Sequence, residues 1–413
     1  MTHAHRTESV FVLLRDMSAI GMTDKKKSVL YIVPRINFFS EGSRGRVMHA
    51  LGIAEGFAEN GWKVMIVGGP GLCEFRADLP EETEFIEIRS RNGLLKKLRW
   101  AIELLFTYRS ILAANRFDVL VVRYVILKYF LIWKFCLMAK RRSLATVLEV
   151  NAFAFHAQTN LPSFVKLAIA KLEVMMVNRY DILYTVSESM SRDPRINGCT
   201  SDIVAIANGA TSKRTNFSNT VSPKESRVRF VYLGSLQEYW DFDIIVKAFR
   251  KFLGNSHDAQ FHFYGSGSVE EYLKDISANE PRIVFHGRFR RRDLGILLNR
   301  KTDILVLPPK LQSDMALSGG LSTKLFDYLS LRMPIIAPAM GEINSVLKHK
   351  ENALLYSHDS VESIIENVGI LLEQPELRDS IAKNAYLDFI EKYTWRARMS
   401  ILIERISEQK STL

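Results

Sequence analysis

A short segment in the second half of the chain carries residues suited to hold a phosphate and a ribose. Ser322 and Thr323 precede Lys324, Asp327 follows within one helical turn, and apolar strand patterns flank the segment on both sides. The free N–H groups and positive dipole of a helix N-terminus suit a phosphate or diphosphate, and Asp327 can accept hydrogen bonds from ribose hydroxyls. An ordinary capped helix between two strands explains the same pattern, and both interpretations are open at this point.

The chain length favours two domains. At 413 residues the chain exceeds what one hydrophobic core usually serves, and 47% hydrophobic with 24% charged residues is typical of a globular protein. The three cysteines, Cys73, Cys136 and Cys199, lack paired spacing, which argues against a disulfide framework or a zinc site and fits a reducing cytoplasm. Residues 1–27 are expected to form a loose tail.

Strand and helix patterns alternate along the chain, which predicts parallel sheets built from βαβ units. The predicted strands of the first half lie at 29–33, 63–67, 119–122, 146–150, 182–186 and 202–206, with helices at 46–59 and 164–178. Those of the second half lie at 229–233, 260–264, 282–285, 304–307, 334–337 and 353–356. We therefore predict two α/β domains, 28–210 and 227–390, joined by a polar linker at 211–226, with a cleft between their sheet ends.

The net charge of +11 is spread unevenly, because two segments of the first half combine basic with apolar residues. The basic residues are Lys96, Lys97 and Arg99 in one segment, and Lys140, Arg141 and Arg142 in the other. Neither segment has the roughly 20 uncharged apolar residues that a spanning helix needs. Each fits a basic amphipathic helix on an anionic membrane surface, or a core-packing helix with a solvated basic face. No nucleic-acid-binding motif is found, so nucleic acid is not an expected partner.

Short segments at the predicted strand ends, taken in order, resemble the retaining glycosyltransferases of family 4, which have the GT-B fold. In the first domain these segments are 41–47, 59–64, 121–124, 147–152, 185–188 and 206–210. In the second domain they are 231–236, 263–267, 285–288, 324–329 and 334–337. The resemblance covers nearly the whole chain beyond residue 27. It implies two Rossmann-like domains that face each other across a cleft, and a C-terminal helix, 391–413, that packs back on the first domain.

The resemblance also implies the reaction: transfer of a sugar from a nucleoside-diphosphate sugar, with UDP or GDP as nucleotide, to a saccharide or lipid-linked acceptor with retention of configuration. Such reactions serve cell-surface polysaccharide or glycoconjugate biosynthesis. The implied donor residues are Gly234, Ser235, Gly265, Arg288, Ser322, Thr323, Lys324 and Asp327. A helix N-terminus can replace a metal at the diphosphate, so neither a metal nor a cofactor is expected. The implied location is the cytoplasm, with peripheral attachment to the inner membrane face.

The acceptor is expected to enter from the first domain. The implied acceptor-side loop contains Gly42, Ser43 and Gly45, and the candidates for catalysis are Arg123, Asn151 and His156. His156 fits a general base, and it fits a hydrogen-bonded histidine in a loop. Arg123 fits an acceptor ligand and a strand-end salt bridge equally. The pair Asn208-Gly209 is expected to make the turn at the domain boundary, and a functional role for it is the alternative.

Two departures from the family pattern concern the donor site. The family usually has an arginine after the first strand of the second domain and a lysine six positions later, whereas this chain has Ser235 and Asp241. The family also often has two glutamates seven residues apart, which correspond here to Gly319 and Asp327. Losing cations beside a dianion removes attraction. Three explanations are open: backbone amides and a neighbouring cation hold the diphosphate, the donor is unusual, or the chain is a non-catalytic binding or regulatory subunit.

Overall fold

The computed structural model describes residues 26–34, 44–88, 94–125, 129–153, 162–213, 215, 217, 227–254, 259–310 and 321–411. These residues form two separate parallel sheets, one in each half of the chain. Most of the predicted tail and most of the predicted linker lie outside the described residues. The domain boundaries drawn from the sequence therefore stay predictions.

The sheet of the first domain has seven parallel strands. They are β1 (Ser28–Val33), β2 (Lys63–Gly68), β3 (Glu84–Glu87), β4 (Val119–Arg123), β5 (Ala145–Val150), β6 (Ile182–Thr185) and β7 (Asp202–Ala205), in the order β3-β2-β1-β4-β5-β6-β7. The helices are α1 (Arg44–Glu59), α2 (Leu94–Ala114), α3 (Tyr129–Lys140), α4 (Ser163–Val177) and α5 (Glu188–Ser191). The central strands are buried apolar runs, because one hydrophobic cluster covers each face of the sheet.

The sheet of the second domain has six parallel strands. They are β8 (Val228–Leu233), β9 (Ala259–Tyr264), β10 (Ile283–Phe285), β11 (Asp303–Val306), β12 (Ile335–Pro338) and β13 (Leu354–Tyr356), in the order β10-β9-β8-β11-β12-β13. The helices are α6 (Phe242–Gly254), α7 (Glu270–Ile276), α8 (Leu294–Leu297), α9 (Thr323–Ser330), α10 (Ile343–Val346), α11 (Val361–Glu373) and α12 (Pro375–Asp388). In both sheets the strand order reverses beside the first strand of the domain, which is where open α/β sheets bind ligands.

The C-terminal helix returns to the first domain. A π-helical turn (Phe389–Tyr393) leads into α13 (Trp395–Ser411), which packs along α1. Gly52 makes room for this contact, because a Cβ there would lie 1.9 Å from the Trp395 indole. Met399 and Leu402 of α13 are buried in the core of the first domain. The fold class and the returning helix predicted from the sequence are confirmed.

Helix α4 carries an exposed apolar stripe, here called the α4 stripe. Its residues share one helical face and are Phe164, Leu167, Leu172 and Met175, exposed by 75%, 57%, 46% and 53%. Lys171 lies on the same face and is also exposed. Within the described ranges, no helix combines the length and apolar character required to traverse a bilayer. The stripe is therefore an unusual concentration of apolar surface on one side of the first domain.

Candidate functional site

At the carboxyl-terminal edge of the second-domain sheet, two neighbouring strands are followed by glycines, which leave the backbone there without side chains. Gly234 and Gly265 directly follow β8 and β9, and Gly234 N donates a hydrogen bond to Tyr264 O at 2.8 Å. Gly265 has a φ of 144°, and a Cβ there would lie 1.7 Å from the Gly234 carbonyl oxygen. Position 265 therefore requires glycine, because no side chain fits where the two strand ends approach so closely.

Helix α9 begins where the sequence predicts, next to this bare edge. Ser322 is the N-cap, and its Oγ accepts a hydrogen bond from Lys324 N at 3.2 Å. The inner face of α9 is buried, and Tyr328 Oη accepts a hydrogen bond from Leu233 N at 2.9 Å. Helix α9 is thereby fixed against the end of β8, and its N-terminus, where the helix dipole is positive, suits an anion.

The Lys324 side chain packs against the aromatic rings of Tyr232 and Trp240. Its Nζ lies 4.0 Å and 4.5 Å from the two ring centroids and donates to Tyr232 Oη at 2.5 Å. Tyr232 Oη in turn donates to Ser235 O at 2.7 Å. Burial holds the pKa of Lys324 well below its usual range, although nearby Asp327 opposes the shift. An anion bound beside this lysine would favour its charged form.

Asp327, the residue expected to contact ribose, forms an ion pair with Arg291. Arg291 Nη2 lies 2.8 Å from Asp327 Oδ1, and both side chains are partly exposed. Arg291 belongs to a basic run after β10 that contains Arg288, Arg290, Arg291 and Arg292. Of these, only Arg288 was a candidate from the sequence, and its Nε donates to Ser266 Oγ at 3.0 Å. The run brings a guanidinium group against α9, which is a source of positive charge that sequence reasoning missed.

The two departures from the family pattern lie close to this site. Ser235 is exposed just beyond β8, and Asp241 is half-buried before α6. Burial raises the pKa of the Asp241 carboxyl. Asp241 also groups with His358 and Asp359, the one set among the described residues whose ligand atoms all lie within 4.8 Å in the manner of a metal site. This set is not apparent from the sequence, because Asp241 is far along the chain from His358 and Asp359.

The sheet edge of the first domain holds a fully buried carboxylate, Glu149. Tyr31 Oη donates to Glu149 Oε2 at 2.5 Å, Asn151 Nδ2 donates to Oε1, and Arg123 Nη1 lies 3.4 Å from Oε1. Burial would raise the pKa of Glu149, but Arg123 and then His49 lower it to about 2. Glu149 is therefore an ionised group around which this edge is organised.

Two of the three catalytic candidates face this carboxylate. Because Arg123 and Glu149 are register partners on β4 and β5, their contact follows from the sheet itself. Arg123 is buried and also donates to Arg46 O at 3.3 Å, so the structure gives the salt-bridge interpretation. Asn151 is half-buried, with its amide bound to Glu149. An acceptor role for either residue stays a prediction.

The acceptor-side loop is described only at its end. Gly45 is exposed in the first turn of α1, and a Cβ added there would lie 3.7 Å from Thr323 Oγ1. The end of the loop therefore lies directly opposite the start of α9. Gly42, Ser43 and His156 lie outside the described residues.

A chain of polar contacts joins the two sheet edges. His49 Nε2 lies 3.0 Å from Glu149 Oε1, and His49 Nδ1 is hydrogen-bonded to Asn208 Oδ1. Asn208 Nδ2 then donates to Leu321 O at 2.7 Å, directly before the Ser322 cap. Sequence reasoning favoured a turn for Asn208, with a functional role as the alternative, and it did not find His49, because nothing near His49 in the sequence marks a site.

Two Rossmann-like domains that face each other form the GT-B fold, which the similar solved structures share. Residues 44–214 match the family model described as Glycosyltransferase Family 4, and residues 213–388 match Glycosyl transferases group 1. The two matches adjoin in the order in which the domains occur. The chain belongs to the GT4-like glycosyltransferases.

Individual relatives are distant. An uncharacterized glycosyltransferase of Methanocaldococcus jannaschii is 23% identical over 186 residues, so the match spans about half of each protein, 44% of this chain and 45% of the relative. A glycosyltransferase from Rickettsia africae superposes with a TM-score of 0.68 at 14% identity, covering 93% of this chain and 99% of that one. Anabaena HepE, solved in complex with UDP and glucose, gives 0.63 at 12% identity, covering 94% and 100%. At such identities the likeness shows the fold alone.

Proposed function

We propose that the protein transfers a sugar from a nucleoside-diphosphate sugar to a saccharide or lipid-linked acceptor, in the synthesis of a cell-surface polysaccharide or glycoconjugate. The start of α9 carries this proposal, because the Ser322 cap lies beside the bare strand ends at Gly234 and Gly265. The positive end of the α9 dipole, with Arg291 close by, suits a diphosphate. Because Thr323 lies next to Gly45 of the first domain, a donor bound at the start of α9 would bring its sugar end to the first domain.

UDP is the first nucleotide to test, with GDP second. The support is the fold shared with HepE, whose structure contains UDP and glucose. Asp327 would accept hydrogen bonds from the ribose while Arg291 holds the carboxylate in place. The α9 amides and the basic run would neutralise the diphosphate and so make it a better leaving group, without a metal or another cofactor.

The reaction would proceed with retention. A hydroxyl oxygen of the acceptor bonds to the anomeric carbon on the face that the leaving phosphate departs from, and a phosphate oxygen takes the hydroxyl proton. His156 is the alternative base for that proton. The anomeric configuration of the product, read by NMR, decides between retention and inversion. A His156→Ala variant that keeps full activity would leave the phosphate as the base.

A calorimetric titration with nucleoside diphosphates, followed by a transfer assay with free and lipid-linked saccharides, tests the proposal. Saturable binding of UDP or GDP is expected, and Asp327→Ala should abolish transfer while the melting temperature stays nearly unchanged, because its ion pair is partly exposed. Glu362→Ala is the matched control, since Glu362 pairs with Lys251 at 2.8 Å on the same domain. A large loss of stability in Asp327→Ala would make the pair structural.

A non-catalytic binding or regulatory subunit is the second candidate. Ser235 and Asp241 favour it, because they replace the cations expected at the diphosphate. The two candidates differ in the transfer assay. Tight nucleotide binding without transfer to any acceptor, or no saturable binding at millimolar nucleotide, would support the non-catalytic function.

We infer that the protein works in the cytoplasm and attaches reversibly to an anionic membrane through its first domain. The α4 stripe with Lys171 supports this location, because apolar anchors beside a cation suit such a surface. The basic cluster proposed from the sequence contributes less, since Lys140 pairs with Asp181 at 2.8 Å and Arg142 donates to Leu112 O. The side chains of Lys96, Lys97 and Arg99 lie outside the described residues.

Vesicle co-sedimentation tests the attachment. Binding to anionic vesicles should fall as salt rises, and a double variant Phe164→Ser with Leu167→Ser should weaken it. Ile296→Ser is the control, because Ile296 is strongly exposed on the second domain. Equal binding to neutral vesicles, or equal loss in the control, would contradict the inference.

A further inference from the structure

We propose that His49 and Asn208 are positioning residues that fix the start of α9 against the sheet edge of the first domain. The proposal rests on the proposed function, because its benefit is the placement of a bound donor relative to the acceptor. Neither residue needs to touch the substrate. They act through the Leu321 carbonyl, which directly precedes the α9 cap.

The direction of each hydrogen bond follows from the groups involved. A carbonyl oxygen only accepts, so the Asn208 amide must turn Nδ2 towards Leu321 O and Oδ1 towards His49. Asn208 Oδ1 only accepts as well, so His49 Nδ1 carries the hydrogen of that bond. The polarity therefore runs from His49 through Asn208 to Leu321, with no freedom to reverse.

His49 is held in place from every side. Its Nε2 lies 3.0 Å from Glu149 Oε1, a close electrostatic contact that is not aligned as a hydrogen bond. The Trp395 ring of α13 meets it edge-on at 5.3 Å, and the Tyr184 ring stacks at 6.5 Å. Arg123 shares Glu149 from the other side. His49 is thus fixed by the sheet of the first domain and by the returning helix together.

This arrangement couples two surfaces that belong to different domains. The contacts that would hold a nucleotide lie within the second domain, whereas the acceptor side is organised by Glu149. A donor could therefore bind without Asn208, but the anomeric carbon would be displaced from the acceptor. A displacement of about 1 Å can lower a rate about 100-fold without changing the binding contacts.

Asn208→Asp tests the coupling, because the carboxylate can still accept from His49 but repels the Leu321 carbonyl. We expect kcat for transfer to fall at least about tenfold, while the Kd for UDP stays within about threefold. Hydrogen exchange should become faster at the first-turn amides of α9. His49→Gln should retain more activity than His49→Ala, since the glutamine amide can still donate to Asn208 Oδ1.

Glu342→Ala is the matched control, because Glu342 Oε1 accepts a hydrogen bond from Ser189 N at 3.0 Å, an interdomain contact that does not involve the Leu321 carbonyl. Equal loss of kcat in this variant would mean that any interdomain contact serves, and would overturn the proposal. UDP binding weakened as much as kcat would make Asn208 part of the nucleotide site.

Two further measurements need no activity. Nitrogen NMR should show that His49 Nδ1 is protonated in the wild type, with the signal assigned by its loss in His49→Gln. Unchanged α9 exchange in Asn208→Asp, or a bare Nδ1, overturns the positioning role even if the protein binds no nucleotide. Absence of UDP binding in the wild type would instead contradict the proposed function alone.

Discussion

Lys324 shows how one residue can meet two opposing demands. Burial against the Tyr232 and Trp240 rings excludes water from the ammonium and lowers the pKa of Lys324. The cation–π contacts and the hydrogen bond to Tyr232 Oη partly compensate for the lost hydration. A lysine held in this way is a weak fixed charge by itself. It becomes a strong one when an anion arrives, because the anion favours the ammonium over the amine.

Nucleotide binding should therefore be coupled to proton uptake at Lys324. The free site has a lowered pKa and the complex a raised one, so affinity for UDP should fall as pH rises through the interval between them. Calorimetric titrations in buffers of different ionisation enthalpy measure the uptake directly. Lys324→Met should remove it, and a wild-type protein that takes up no proton on binding UDP, at any pH below the ordinary lysine pKa at which it stays folded, would contradict the coupling.

Glu55 should make the stability of the protein depend on pH. Burial raises its pKa to about 7, although Thr211 Oγ1 donates to it and opposes the shift. The folded state binds the proton more tightly than the unfolded state, whose value is 4.5, so stability is full below that value and falls as pH rises to about 7. The loss amounts to about 3 kcal/mol at most.

Glu55→Gln should remove this contribution, since the amide stays neutral at every pH. Denaturant unfolding of both proteins at about pH 5.5 and about pH 8 measures the difference in the free energy of unfolding. The wild type should lose more stability than the variant between the two conditions. Equal losses would mean that Glu55 ionises without cost in the folded state.

At the scale of elements, the sequence predicted most of the two sheets. Twelve runs were predicted as strands and all overlap observed ones, because buried parallel strands are apolar runs between turn residues. One observed strand, β3, was not predicted. Its four residues begin and end with glutamate, and they are only partly buried. An edge strand of this kind lacks the apolar signal on which such a prediction depends.

The candidate site was predicted less completely, for a different reason. Ser322 and Gly265 are visible in sequence because a cap and a close backbone approach each require particular residue types locally. His49, Asn208 and Arg291 act through partners distant in sequence, so only the folded chain shows their roles. The pairing of Arg123 with Glu149 follows from the register of β4 and β5, which the sequence alone does not give.

Substitution by alanine should have opposite effects on stability at two helical glycines, because only one of them lies in the contact between α13 and α1. A Cβ at Gly52 would overlap the Trp395 indole, so Gly52→Ala should lower the free energy of unfolding by about 1–3 kcal/mol. Gly369 in α11 has, among the described residues outside its own helix backbone, no atom within 4 Å of an added Cβ, so Gly369→Ala should instead raise stability by about 0.5–1 kcal/mol. Thermal unfolding compares them, and a stabilised Gly52→Ala would contradict the packing.

At the scale of the whole molecule, the chain passes between the domains twice, near Ala210 and near Thr394, and these two segments lie side by side. Ala210 pairs with Thr394 in an isolated bridge, Ala210 N donates to Tyr393 O at 3.0 Å, and Trp395 N donates to Ala210 O at 3.1 Å. Paired crossings restrict twisting of one domain against the other, while a hinge motion about the bridge stays open. A hinge there would move the start of α9 relative to Gly45, and the proposed transfer would depend on that distance.

Removal of residues 395–413 should therefore unfold the first domain while the second stays folded. The deletion takes away four buried side chains, Trp395, Met399, Leu402 and Ile406, at about 2 kcal/mol each. Their combined loss of about 8 kcal/mol approaches the whole stability of a typical domain. Limited proteolysis should cleave within β1–β7 and spare β8–β13. Removal of residues 408–413 alone leaves all four side chains in place and is the control, and a first domain that resists protease without α13 would contradict this dependence.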